Sequence, residues 1–497
     1  DYICDININK NGNALHRPSF RGLKKHTRNI STRDGDEFCS FRIPSLLHWE
    51  RHGVCGVYAI CQTSPRLTVY YIGETDNLSN RFNMAYGRIF KKYFNLHAAK
   101  INKKIYEKIK NRVDEVADEL IAASHAIHAN PELAFKEFFA CKTLTQSLRN
   151  HDLDVKTGVY TLETAFETRL PKSSDGPTAA ILAEYDALPG IGHSCGHNII
   201  ATSALGATLG LQAVADELPG TVRLLGTPAE EKGGGKELMA RAGAFEDVDA
   251  AMMIHPAGLN LASMPCICVA EVEAIYHGRS AHASAMPHKG INALDGLLLA
   301  YQAISNLRQH IRPTERIHGI ITEGGAAPNI VPDRSAGQFY VRAADEQDLS
   351  KLKPRVQACF EAGAKATGCT VEINWANVDY LDLKTNWPLA DQFQLHAEGL
   401  GREFIPYDQA LGFGAGSTDM GNVSHRVPSI HPMLAVAPPN VVIHNPEFAK
   451  WAGSAEGDKA VVDGAKALAL TAADYLLSPD LQDQARKAHE ISKGLAA

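Results

Sequence analysis

Cys195 and His197 stand two residues apart in the stretch Gly192-His193-Ser194-Cys195-Gly196-His197-Asn198. An apolar run ending at Ala183-Glu184-Tyr185-Asp186 precedes it, and a small-residue helix pattern from Ile199 to Ala215 follows. A thiol and an imidazole in a glycine-bounded turn between strand and helix can point at one centre. That donor pair suits zinc better than other transition metals. Taken alone, it fits a buried free thiol beside a loop histidine better. Later donors shift the balance. Glu230-Glu231 follows the apolar run Thr221 to Gly226 and precedes Gly233-Gly234-Gly235. Of two adjacent carboxylates at a strand end, one can bind a cation while the other takes a proton from water. His255-Pro256 closes the apolar run Ala250 to Ile254, Ser280-Ala281-His282 forms a polar turn, and His444-Asn445-Pro446-Glu447-Phe448 comes late.

Collecting such donors requires a sheet whose strands end at one edge. A helical pattern starts at Ile105 and continues to Ala123, and a second runs from Phe138 to Leu148. Val155 to Thr168 reads as a strand, and Thr178 to Tyr185, Thr221 to Gly226 and Ala250 to Ile254 read as buried strands. Helices alternating with buried strands predict an α/β sheet with Asp186, Glu230, Glu231 and His255 at its carboxyl ends. The rhythm changes after Leu261. Strand (Val269–Tyr276), helix (Ile291–Leu307), two strands (Ile317–Glu323, Gly337–Ala343), helix (Leu349–Ala364) and strand (Thr370–Trp375) make a compact two-layer α+β unit. The first domain resumes by Leu383, with a Gly-rich turn at Gly414 to Asn422, a short strand Val441–Ile443 ending at His444, and a last helix from Asp463 to Leu477. The expected divisions are 1–104, 105–265, 266–380 and 381–497.

Taken together, these turns resemble the co-catalytic metallopeptidases of the aminoacylase/carboxypeptidase family. The branch resembled most is that of Xaa-Arg dipeptidases, p-aminobenzoyl-glutamate hydrolases and auxin-conjugate amidohydrolases. Glu184-Tyr185-Asp186-Ala187-Leu188-Pro189-Gly190-Ile191-Gly192-His193, Gly226-Thr227-Pro228-Ala229-Glu230-Glu231 and Gly416-Ser417-Thr418-Asp419 carry the likeness, over about residues 105–480. It implies a hydrolase-type α/β catalytic domain with an inserted ferredoxin-like lid and dimerisation domain. It implies two divalent metal ions, Zn²⁺ first and Mn²⁺ or Co²⁺ as alternatives, held by Cys195, His197, Glu231, His255 and His444. Glu230 matches the general base, Asp186 the carboxylate that orients a ligand, and His282 a lid histidine that reaches the partner subunit's site. Asn329 and Arg342 match lid positions that hold the substrate carboxylate, with Ser417 and Thr418 beside them. The implied reaction is hydrolysis of an amide bond in a dipeptide or an N-acyl or aminobenzoyl amino acid, by a homodimer. Two positions depart from relatives. Asn198 stands where many carry Asp, and Glu184 where other branches carry His.

The 497 residues carry 50 Lys and Arg against 56 Asp and Glu, unevenly spread. Residues 1–100 hold fifteen basic against eight acidic, a net +7, and the remainder is −13. Two modules of different origin are the simple reading. Gly56-Val57-Tyr58 and Tyr71-Ile72-Gly73, in two strands joined by Thr63-Ser64-Pro65-Arg66 and followed by a helix over Asn77 to Phe82 with Arg81, resemble the GIY-YIG nucleases over some 40 residues. Nucleic acid is therefore expected as a partner only through residues 1–104, and a nucleic-acid-processing protein with a degenerate hydrolase domain is the alternative reading. The ten cysteines show no framework spacing, and no charged-then-apolar leader or run of about 18 apolar residues appears. Those features predict reduced thiols, a cytoplasmic protein and no membrane partner.

Overall fold

The computed structural model describes residues 103–171, 175–410 and 416–494, together with the backbone of two earlier strands. The chain divides into two units, Asp1–Phe94 and Asn95–Ala497. In the first, β1 (Val57–Thr63) and β2 (Arg66–Ile72) pair antiparallel, with Thr63 opposite Arg66 across the expected turn. The expected helix from Asn77 to Phe82, Arg81 and the side chains of both strands lie outside the described residues.

The second unit opens with helices. The pattern expected as one helix from Ile105 forms two, Lys103–Glu115 and Ala117–Ala129, because Val116 leaves helical geometry at φ −99° and ψ 4°. Helix Phe138–Asn150 follows. The stretch Val155 to Thr168, expected as a single strand, is also two: β3 (Val155–Thr157) and β4 (Phe166–Arg169), paired antiparallel. Tyr160 and Thr161 between them adopt left-handed backbone (φ 54° and 65°) and turn the chain back. β5 (Thr178–Ala183), β6 (Thr221–Gly226) and β7 (Ala250–Met252) run parallel and are buried almost throughout. Strands covered on both faces read as continuous apolar runs, which is why the sequence displayed them. His255 does not end β7 but belongs to its own short strand, β8 (His255–Ala257). Helix His197–Gln212 is buried along nearly its whole length. Its small residues admit close neighbours: a Cβ on Gly206 would meet Leu120 Cδ1 at 2.5 Å and Ala465 Cβ at 2.8 Å.

The lid has its own sheet. β9 (Cys268–His277), helix Ala293–Leu307, β10 (Arg316–Glu323), β11 (Arg334–Ala343), helix Glu346–Thr367 and β12 (Thr370–Trp375) follow the expected order. The sheet is antiparallel in the order β10-β11-β9-β12, the ferredoxin-like arrangement. Along β9, Cys268, Ala270, Val272, Ala274 and Tyr276 are buried and alternate with half-buried residues. That is the pattern of a sheet with helices on one face only. Phe339 and Phe360 meet edge to face in this core, their ring centroids 5.1 Å apart. The other face leaves Ile320 and Tyr340 exposed, and β10 is an open edge.

After the lid, β13 (Ser429–Ile430) pairs parallel with β7 and β14 (Met433–Ala435) pairs parallel with β8. The main sheet thus has the order β13-β7-β5-β6-β4-β3. The strand expected at Val441–Ile443 is absent. Pro438-Pro439 break the chain just before it, Val441 N–H donates to Pro438 O at 2.9 Å in a turn, and Asn445 caps helix Pro446–Ala452 by accepting from Glu447 N–H at 2.9 Å. Helix Ala455–Leu477 begins about two turns earlier than the pattern suggested, with Ser454 as its cap. Among the described residues no helix is long and apolar enough to cross a membrane.

Truncating a fully buried ring leaves a cavity as well as lost apolar contact. Phe360→Ala is expected to cost the lid about 3–5 kcal/mol. Hydrogen exchange should accelerate across residues 268–375 and leave β5 to β7 protected. Uniform acceleration in both would show that the lid core is not independent.

Candidate metal centre

The edge where β5, β6 and β7 end carries the chemistry. Glu184 and Asp186 follow β5, Glu230 and Glu231 follow β6, and His255 opens β8 just past β7. Cys195 and His197 sit where a tight turn enters helix His197–Gln212. Gly196 between them has φ 80°, and a Cβ there would lie 2.5 Å from Pro256 Cγ. Only glycine lets the turn press against the residue that follows His255. His444 reaches the same place from the loop before helix Pro446–Ala452. Its backbone is left-handed at φ 63°, and its N–H donates to Ser194 O at 2.9 Å. Left-handed backbone at a non-glycine residue is strained, and such strain gathers at functional sites.

Cys195 Sγ lies 3.3 Å from His255 Nε2 and 3.5 Å from His444 Nε2. His444 Nε2 is 3.3 Å from Glu231 Oε2. His197 Nε2 faces Glu184 Oε2 at 3.6 Å and both Glu230 Oε2 and Glu231 Oε1 at 3.9 Å. Donor atoms fall into three mutually close groups: Cys195–His197–His255, Cys195–Glu231–His444 and Glu184–His197–Glu230, each within 4.8 Å. The first two share Cys195, so one sulfur can serve two cations. His197 Nε2, Glu231 Oε1 and Glu184 Oε2 are shut off from solvent yet have no hydrogen-bond partner. Buried polar atoms are nearly always paired, and a divalent cation is one kind of partner that such a set of donors can take. Thiolate, imidazole and carboxylate oxygen are the donors zinc takes.

Neighbouring groups hold each donor. His197 Nδ1 meets Asp186 Oδ1 at 3.0 Å, and Asp186 Oδ2 accepts from Glu231 N–H at 2.9 Å. Burial alone would raise Asp186, but the His197 hydrogen bond and charge outweigh it and keep its carboxyl below the usual range. His255 Nδ1 meets Pro256 O at 2.7 Å, which fixes the tautomer and leaves Nε2 free to face Cys195. Burial, then His431 and His197, push His255 down to about 3, so it is a neutral donor. Glu230 is buried and held well above the carboxylate range, first by burial and then by Glu184, Glu231 and Asp419. Tyr380 Oη donates to Glu230 O at 2.5 Å and accepts from Gly234 N–H at 3.0 Å, clamping the turn. Asn198 Nδ2 donates to Ser124 Oγ and Ala452 O, each at 2.9 Å, so its amide nitrogen is taken up by helix packing, while its Oδ1 is buried without a hydrogen-bond partner.

The lid residues stand apart from these groups. His282 is exposed, with Nδ1 accepting from Ala285 N–H at 3.3 Å, and Asn329 O accepts from Ala283 N–H at 3.0 Å beside it. Neither enters the three donor groups. Arg342 Nη1 donates to Ser417 Oγ at 3.0 Å, and Ser417 Oγ donates to Ile267 O at 2.7 Å. Thr418 Oγ1 accepts from Met420 N–H at 3.1 Å, a use within its own turn. Lys236 and Glu137 went unremarked in the sequence, and Asp419 stood there only as the end of a motif. Lys236 and Asp419 are buried and paired at 2.8 Å, and Glu137 is buried beneath the Glu230 turn. A lysine after a glycine run and a lone carboxylate before a helix give no chemical signal in one dimension.

The fold and the donor set are those of a metal-dependent hydrolase with a separate lid. Residues 269–368 match a peptidase dimerisation domain. The chain is 42% identical to the Xaa-Arg dipeptidase of Mus musculus over 388 residues, which cover 76% of this chain and 90% of that protein. It is 27% identical to a p-aminobenzoyl-glutamate hydrolase of Escherichia coli (strain K12) over 456 residues, covering 77% and 92%. A dinuclear metal-binding M20-family peptidase of Bacillus subtilis superposes with a TM-score of 0.57 at 21% identity, covering 73% of this chain and 99% of that one. The chain belongs to the M20 peptidase family, in the branch that holds the Xaa-Arg dipeptidases and p-aminobenzoyl-glutamate hydrolases. As such it is a hydrolase of peptide-type C–N bonds.

Glu137 supports the turn that presents Glu230. Its Oε1 accepts from Ala229 N–H and Phe135 N–H, both at 2.9 Å, and Oε2 from Thr164 Oγ1 at 2.8 Å. Ala229 and Phe135 are themselves left-handed, at φ 62° and 64°. Burial, then the charge of Asp186, push Glu137 from 4.5 to about 7. A raised carboxyl favours the folded state below its unfolded value and loses that contribution as pH climbs through its folded value. In chelator-treated protein, the stability of wild type minus that of Glu137→Gln should therefore fall between pH 4.5 and about 7. Urea titrations across that range are the check, and a pH-independent difference would contradict the assignment.

Proposed function

We propose that this chain hydrolyses the amide bond of a dipeptide ending in a basic residue, or of an N-acyl or aminobenzoyl amino acid, and releases a free amino acid. The observation that carries the reading is the pair of donor groups sharing Cys195, with the buried carboxyl of Glu230 beside them. In this reading Cys195, His197, Glu231, His255 and His444 hold two divalent cations, with Zn²⁺ the best match to the donors. When bound, the cations lower the pKa of water, polarise the scissile carbonyl and offset the crowding of acidic groups around Glu230.

Glu230 takes the proton of the attacking water and returns it to the leaving nitrogen. Asp186 keeps the His197 ring in its donor orientation. The partner subunit's His282 supplies a hydrogen bond to the developing oxyanion, a contact typically worth about 3–4 kcal/mol. Its exposure, away from the donors of its own chain, supports that role in a homodimer joined through the lid. Arg342 clamps the substrate carboxylate with its planar fork. Among the described residues it has no acidic partner, and Ser417 orients one arm of the fork. Asn329 and Thr418 line the same end of the substrate. The relative named for Xaa-Arg dipeptides favours a dipeptide with a basic C-terminal residue as the first substrate to try. The described cysteines are all free, which suits a cytoplasmic location. Among the described residues nothing supports the nucleic-acid alternative.

Glu230→Gln keeps shape and removes the base. The variant should retain two cations per chain by metal analysis and lose about 10²–10⁴-fold in kcat. Turnover near the wild-type rate would remove Glu230 from the mechanism. His282→Ala and Glu230→Gln homodimers should each be inactive, and subunits mixed from the two should recover part of the activity. No recovery after verified subunit exchange would place His282 in its own chain's site.

A further inference from the structure

Glu184 is fully buried behind the donors. One of its oxygens, Oε1, is held by Lys236 Nζ, which also donates to Asp419 Oδ1 at 2.8 Å. The other, Oε2, has no hydrogen-bond partner and faces His197 Nε2 at 3.6 Å. His197 Nε2 is itself without a partner. The field of Glu184 also reaches the imidazole of His255. A buried carboxylate oxygen left bare costs free energy unless something cationic meets it, and His197, which it faces, belongs both to the Cys195–His197–His255 group and to the Glu184–His197–Glu230 group. We propose that Glu184 is an additional ligand of the cation held by Cys195, His197 and His255, and that Lys236 is the positioning residue that fixes its carboxylate.

Lys236 is fully buried, and its backbone N–H donates to Asp419 Oδ2 at 2.8 Å. Main chain and side chain of one residue thus grip one carboxylate and reach across to the second. Burying an ammonium is unfavourable unless it is well paired, and here it has two carboxylates. Its geometric effect is to occupy Oε1 and leave only Oε2 for the cation, so Glu184 binds through one oxygen. Its electrostatic effect is to cancel one of the negative charges crowded with Glu230 and Asp186, which makes a further anionic ligand tolerable beside the thiolate. A histidine at position 184 would need no such countercharge. A glutamate does, and the ammonium is present.

The inference rests on the reading of Cys195, His197 and His255 as ligands, and the experiment separates the two. Zn²⁺ would be titrated into chelator-stripped full-length wild type and Glu184→Gln, and bound metal counted after gel filtration. Wild type should bind two ions. Glu184→Gln should bind one with unchanged affinity and the other about tenfold or more weakly. With Co²⁺, the thiolate-to-metal absorption from the Cys195–Glu231–His444 site should persist. Two ions at wild-type affinity in Glu184→Gln would overturn the role of Glu184 and leave the site reading intact. Wild type binding no ion would overturn the site reading itself. Should the variant not fold, a crystal structure of the zinc-loaded wild type decides: Glu184 Oε2 at about 2.0–2.2 Å from an ion supports the proposal, and Oε2 beyond bonding distance overturns it. Lys236→Met gives the independent check on positioning. It should weaken the same ion and spare the other, whereas equal affinity at both would deny Lys236 that role.

Discussion

A concentration of buried acidic groups governs this structure. Glu184, Asp186, Glu230 and Asp419 are all nearly sealed from water, with Glu231 and the Cys195 thiol against them. One ammonium, Lys236, is enclosed with them. Such a cluster is unfavourable in a low-dielectric interior unless cations complete it. Its signature is a set of buried atoms with nothing to bond: His197 Nε2, Glu184 Oε2 and Glu231 Oε1. The rest of the catalytic unit is arranged to hold that crowd in place. Gly196 admits the tight turn against Pro256, Glu137 ties down the left-handed residues around Glu230, and His444 is held to Ser194 in strained backbone.

The main sheet supplies rigidity. Parallel strands covered on both faces bring Glu184, Glu230 and His255 to one edge although they are far apart in the chain. Close helix approach at Gly206 locks the helix that begins at His197 onto Leu120 and Ala465. The lid works by different rules. It has its own core around Phe339 and Phe360, one bare sheet face and an open edge. Its His282 is exposed, and its Arg342 has no acidic partner among the described residues.

The corrections share one cause. Val155 to Thr168, Ile105 to Ala123 and Val441 to Ile443 each show acceptable periodicity, yet in each the backbone turns. Tyr160 and Thr161 adopt left-handed conformations that their residue types do not advertise, and Val116 leaves the helix without a glycine or proline to mark it. Valine and isoleucine at 441–443 have strand propensity, but Pro438-Pro439 and the Asn445 cap leave no room for pairing. Local pattern states what a segment prefers. Neighbours decide what it does.

The amino-acid sequence by itself determined the types of donor and their order: Cys195 and His197, Glu230 and Glu231, His255, His444. It also determined the two-sheet organisation, because buried parallel strands and a half-buried antiparallel sheet leave different periodicities. Only the tertiary structure decided that Cys195 is common to two donor groups and that the amide nitrogen of Asn198 is taken up by helix packing. It alone showed that Glu184 holds one oxygen free while Lys236 takes the other. The physical reason is that a ligand set is a matter of distance and direction between side chains far apart in the chain, and spacing along the chain measures neither.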